Sequence, residues 1–153
     1  MTLANPDTYT STLLDGLARM LAAAGVGRYE GRDTVFQPDD VAILFTGAAS
    51  ELFPTKQVIL RVYNDLPGDL AANQVQVQVL SRVSSDPLAA DDVTDLIRGA
   101  LHNKRDLVFG ADADSFGVHI GWVRLTSHAD LGPDGNGLFE HTQNFLLTGN
   151  RYQ

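Results

Sequence analysis

Between Gln74 and Val79 the chain alternates strictly: Gln74, Gln76 and Gln78 fall on one side, Val75, Val77 and Val79 on the other. A period of two matches a β-strand, whose successive side chains point to opposite faces, and it does not match the 3.6-residue period of a helix. The segment from Gln74 to Val83 is therefore predicted as a strand with one buried valine face and one polar face. The polar face carries amides instead of charges. A partner can cover such a surface without the cost of burying bare ions. The plain alternative is an ordinary solvated sheet face.

Other periodicities fill in the chain around this strand. Leu13, Leu17, Leu21 and Ala24 recur at helical spacing, widened by Leu14 and Ala18, and predict a helix from Asp7 to Ala24. Asp7 or Thr8 is placed to cap it, and Gly25 to stop it. Further strands are expected at Arg28–Phe36 (weakly, because Gly31 interrupts it), at Asp40–Thr46 and at Gln57–Tyr63, the last apolar enough for an interior position. Ser85-Asp86-Pro87 announces a second helix, a capping oxygen ahead of a proline. Its buried stripe is expected to be Val93, Leu96, Ile97, Ala100 and Leu101, with Trp122 as an anchor of the core. Strands at Phe116–Thr126 and Leu138–Thr148 flank the turn-rich run Ala129 to Gly137, which predicts a long-looped hairpin. The expected architecture is α+β: a largely antiparallel sheet with two helices packed on one face, a single domain over residues 1–153.

Composition narrows the function. Acidic residues number 19 against 11 basic, a formal net charge of −8, and the arginines are scattered. A phosphate-gripping groove calls for the opposite sign. The chain has no cysteine, which excludes disulfides, thiol catalysis and thiolate metal sites. The start Met1 to Asp7 lacks the basic and apolar runs of a secretion signal, and no apolar stretch approaches membrane-spanning length.

No constellation of acid, base and nucleophile is visible. His128 and His141, with Asp130 nearby, are the best metal-ligating set, since a hairpin folded about Pro133 would bring the two imidazoles toward each other. Ser127-His128-Ala129-Asp130 contains triad residue types, but neighbours in a strand point to opposite faces and make no relay. Asp112-Ala113-Asp114 and Asp134-Gly135-Asn136-Gly137 read as turns, lacking the oxygen ligands of a calcium loop at the required offsets. Gly25-Val26-Gly27 follows a helix instead of a strand, so it is a helix stop and not a dinucleotide fingerprint.

Several stretches, taken in order, resemble the tail terminator proteins of long-tailed bacteriophages, in particular those of actinobacteria. These stretches are Leu14 to Gly27, Asp33-Thr34-Val35-Phe36, Pro38 to Ile43, Val75 to Arg82, Asp86-Pro87 with a helix ending Ala100-Leu101-His102, and above all Leu131 to Phe145. In that family a Gly-Asp-Gly loop leads into a strand bearing a glutamate and then an Asn-Tyr pair; here Phe145 stands in the tyrosine position and Leu138 where arginine is common. The resemblance spans Leu13 to Asn150, and Gly47–Thr55 has no counterpart in it.

The resemblance implies a virion protein of the tail or neck, assembled in the host cytoplasm. It forms a six-membered ring on the head-proximal end of the tail tube, stops tube growth and presents the head-joining surface. Implied partners are further copies of the chain, the tail tube protein and a head-completion or connector protein, while DNA passes through the bore without specific binding and no membrane is involved. No enzyme activity, catalytic residue, metal or cofactor is implied. Candidate interface residues are Gln74, Gln76, Gln78, Asp134, Asn136 and Glu140. The alternatives are a neck connector protein and, more remotely, a metal-dependent hydrolase using His128, His141 and Asp130.

Overall fold

In the computed structural model the described residues are 9–45, 55–67, 73–110 and 117–150. Along the chain they form α1 (Tyr9–Ala23), β1 (Ala42–Leu44), β2 (Gln57–Pro67), β3 (Asn73–Arg82), α2 (Pro87–Leu101), β4 (Arg105–Phe109), β5 (Val118–Pro133) and β6 (Phe139–Asn150). The strands make one six-stranded sheet in the order β1-β2-β3-β6-β5-β4. The alternating segment, β3, lies in its middle.

The sheet is mixed. β1 runs parallel to β2, while the pairings β2/β3, β3/β6, β6/β5 and β5/β4 are antiparallel. The one parallel pairing lies at the β1 edge, where the stretch from Phe45 to Lys56 has the roughly dozen residues a parallel crossover needs. Val75, Val77 and Val79 are each at most 1% exposed. They share one apolar cluster with Leu13, Leu17 and Leu21 of α1, Ile97 and Leu101 of α2, Leu60 of β2, and Phe145 and Leu147 of β6.

Local chemistry sets the helix ends. At the end of α1 the Gly25 N–H donates to the Ala22 carbonyl (3.0 Å) and the Val26 N–H to the Leu21 carbonyl (3.0 Å), with Gly25 at φ 84°. This pair of bonds is the Schellman stop; it needs a left-handed residue at Gly25 and packs Val26 into the core beside Leu21. Asp86 caps α2 by accepting the Leu88 N–H (3.1 Å), with Pro87 in the first turn where its missing N–H costs nothing. The expected cap at Asp7 or Thr8 lies outside the described residues, as do Thr46 and Phe116.

Four expectations are corrected. Arg28–Phe36 is not a strand; only Arg28 bridges to Ala42. The segment is held instead by side chains: Tyr29 donates its hydroxyl to Asp15 and meets Phe45 edge-on, and Asp40 accepts from the Gln37 N–H (2.7 Å) and from Arg28 (3.0 Å). The Gln37 bond and the Arg28 guanidinium hold the Asp40 carboxyl below its ordinary range, and burial first, then the bond to Asp15, raises the Tyr29 phenol. Second, Arg105–Phe109 forms a strand that was not expected. Third, the last hairpin has long arms and a short turn: β5 runs on to Pro133, and bulges at 120/122, 125/127 and 130/132 absorb the irregularity that reads as loop in the sequence. Fourth, Leu96 is 44% exposed, so the buried stripe of α2 is narrower than its spacing suggests.

Two predictions follow from this packing. Val77→Asp should destabilise the fold by several kcal/mol, an order typical of an unpaired buried carboxylate, lowering Tm by roughly 10 °C or more. Gln74→Asp, on the exposed side of the same strand, should leave Tm nearly unchanged; equal losses would refute the face assignment. Gly16 tests the unexpected strand. A Cβ there would land on the Phe109 ring of β4. Helix propensity alone makes Gly16→Ala stabilising by about 1 kcal/mol. Overpacking at about 1–3 kcal/mol opposes it, and thermal melts should show a net loss.

Candidate protein interface

The face of the sheet opposite the valines is built by the register. Gln76 lies opposite Leu146, Gln78 opposite Asn144, Leu80 opposite Thr142 and Arg82 opposite Glu140 across β3 and β6. On the other side of β3, Arg61 lies opposite Gln78 and Gln57 opposite Arg82. Gln74 is exposed, and Gln76 and Gln78 are half-buried. The expected glutamine ladder therefore exists as a face, but it is not a row of independent amides.

A hydrogen-bonded row crosses three strands. The Gln78 amide donates to the Asn144 side-chain oxygen (3.2 Å), and the Asn144 amide donates to the Ser127 hydroxyl (2.8 Å). Four residues along β6, or about 13 Å at strand rise, comes a second polar group. There Arg82 donates to the Gln57 side-chain oxygen (2.8 Å), and its other terminal nitrogen lies 3.6 Å from Glu140. Pairing of this kind limits the cost of covering these groups with a partner.

Asp134 and Asn136 join the Arg82 group from the hairpin turn. The Asp134 carboxylate accepts the Asn136 N–H (2.8 Å) and the Leu138 N–H (2.9 Å), and the Asp134 N–H donates to the Leu138 carbonyl (2.7 Å). This is how Asp shapes a turn, by satisfying backbone donors two and four residues on. With Thr55, Gln57, Arg82, Gly135 and Glu140, Asp134 and Asn136 line an open polar hollow of about 400 Å³. Three of the six candidate residues thus meet in one place, and the glutamines extend along the same sheet face.

The candidate metal set does not assemble. Across β5 and β6, His128 lies opposite Gln143, and His141 lies opposite Asp130. His128 is exposed; His141 is 7% exposed and turns toward α2, its Nε2 3.5 Å from Asp91. Among the described residues no group of three or more His, Cys, Asp or Glu side chains is placed to hold a metal. Asp112-Ala113-Asp114 lies outside them.

Trp122 is a correction. Instead of anchoring the core it is half-buried on the polar face, with the Arg105 and Arg124 guanidiniums each stacked 4.5 Å from its ring centre and its indole N–H donating to Asn103 (2.9 Å). The Trp122-x-Arg124 spacing in a strand was the available signal, since residues two apart share a face. Arg105 joins only through the unexpected β4.

No family model matches the chain, and no curated protein matches it by sequence. Among solved structures, a chain of the virion of a native gene transfer agent particle shares the fold at TM-score 0.53 and 10% identity, over 91% of this chain and 95% of that one. Among the described residues no helix is long and apolar enough to cross a membrane.

Because His128 and His141 do not converge, no metal is expected on that pair, and chelation tests this. Chelator should leave thermal unfolding unchanged, and purified protein should carry no stoichiometric zinc, iron or calcium. A metal bound only by the native state raises its stability by mass action, so a fall in Tm with chelator would restore the histidine site.

Proposed function

We propose that this chain is a structural protein of a phage-like virion, and specifically a tail terminator: a subunit that closes a ring, with six members expected, on the head-proximal end of a tail tube, stops its growth and joins it to the head. One observation carries the reading. A subunit fold found in a gene transfer agent virion covers both chains nearly end to end, and the segments that resemble tail terminators occur here in order from Leu13 to Asn150.

The polar face supports the same reading. Gln74, Gln76, Gln78, Asp134, Asn136 and Glu140 are proposed as contact residues toward the tube protein, the connector protein or neighbouring copies. Their surroundings are already paired by hydrogen bonds, so covering them leaves few bare charges. The net charge of −8 suits a ring whose bore DNA traverses without sticking. The shared core cluster of α1, α2 and the β3 valines supports one domain with both helices against the valine face. In this reading the protein is not an enzyme and needs no cofactor; it is assembled in the host cytoplasm and ends in the tail or neck of the particle.

Electron microscopy of particles from a phage whose copy of this gene is interrupted tests the proposal. Expected are filled heads without tails, together with tails of irregular and excessive length. Tails of normal length that fail to join heads would assign the chain to the neck connector instead. Normal infectious particles would refute both.

A further inference from the structure

The cation-stacked indole on β5 is a built surface that the terminator reading does not use. Arg105 and Arg124 both stack on Trp122 at 4.5 Å, and neither has a carboxylate partner among the described residues. The Nε of Arg124 is buried without a hydrogen-bond acceptor. Stacking fixes each guanidinium's plane, which suits it to bind a carboxylate through its remaining N–H groups. The indole already carries two cations and its N–H is bonded to Asn103, so it is poorly placed to stack a nucleobase. In a chain of net charge −8 the fitting partner is a cluster of carboxylates set among apolar side chains.

The same chain offers that cluster elsewhere. On α2, Leu88, Asp92, Asp95 and Leu96 lie three and four residues apart on the stripe turned away from buried Ile97 and Leu101. Leu88 is 73% exposed, Leu96 is 44% exposed, and both aspartates are exposed. Trp122 and Arg124, for their part, alternate with core-facing Val123 and point away from the core. One patch therefore looks out from the helix layer and the other from the sheet layer, so two copies can meet head to tail without using the same patch twice.

We infer that the Arg105–Trp122–Arg124 patch of one copy docks on the Leu88–Asp92–Asp95–Leu96 stripe of α2 in a second copy, and that this is the repeating contact between subunits. The inference rests on the ring reading above and names its interface. Carboxylates meet guanidiniums while the two leucines cover the indole edge.

Charge exchange tests it by sedimentation velocity at low salt, up to millimolar protein. Wild type should self-associate, less so as salt rises. Arg105→Glu/Arg124→Glu and Asp92→Arg/Asp95→Arg should each weaken association about tenfold or more, as close interfacial charge pairs do, without a change in melting. An equimolar mixture of the two variants should restore it. If the first variant melts early, Arg105→Glu alone replaces it. A wild type that stays monomeric, variants that associate like wild type, or a mixture that stays apart would each overturn the interface. So would a wild type that binds duplex DNA through these arginines without self-associating, which would assign the patch to phosphates. Closed rings indifferent to the exchange would overturn this contact and leave the ring reading standing. Open chains that obey the exchange would establish the contact and refute the ring.

Discussion

The register between β3 and β6 is the constraint on which the rest of the structure depends. Val77 lies opposite Phe145, and Val75 opposite Leu147, so two strands at the centre of the sheet send their apolar residues to the same side. A slip of one residue would put three valines on the polar face and the glutamines into the core, which is why a strand of this pattern has one stable pairing. Leu13, Leu17 and Leu21 of α1 and Ile97 and Leu101 of α2 belong to the same apolar cluster. The opposite face follows from the same register: the Gln78–Asn144–Ser127 row and the Arg82–Gln57–Glu140 group exist because even-numbered residues of β3 and β6 are brought side by side.

Much of this is legible in the sequence because the signals are local. Alternation marks β3, a capping aspartate and proline mark the start of α2, and Gly25 marks the end of α1. What was not legible depends on distant residues. Arg105–Phe109 has no clean alternation: Asp106 takes a positive φ of 56°, which breaks the period, and only pairing with β5 makes the segment a strand. The hairpin arms read as loop because Ser, Asp, Gly and Pro crowd them, and bulges let such residues continue a ladder. β1 is short and parallel, and its direction follows from a crossover rather than from its own residues.

The candidate interface shows the same division. The glutamines were readable as a face; their neighbours were not, because Asn144 lies 66 residues from Gln78 and Ser127 joins the row from a third strand, 17 residues before Asn144. Asp134, Asn136 and Glu140 were marked by the turn motif, and Arg82 and Gln57 joined them only through strand order. The histidines illustrate the opposite error. Proximity about Pro133 suggested a site, but pairing sets His128 opposite Gln143, and His141 spends its polarity toward Asp91 on α2. Trp122 was assigned to the core by residue type alone, whereas its strand parity and two arginines hold it on the outer face.

The central claim is that the amide-rich sheet face is a surface covered in assembly. A cryo-electron microscopy reconstruction of an assembled particle that contains this chain measures that most directly. The face bearing Gln74, Gln76 and Gln78, together with the hollow at Asp134, Asn136 and Glu140, should lie within contacts to other protein subunits. A reconstruction in which that face is open to solvent on every subunit would contradict the claim.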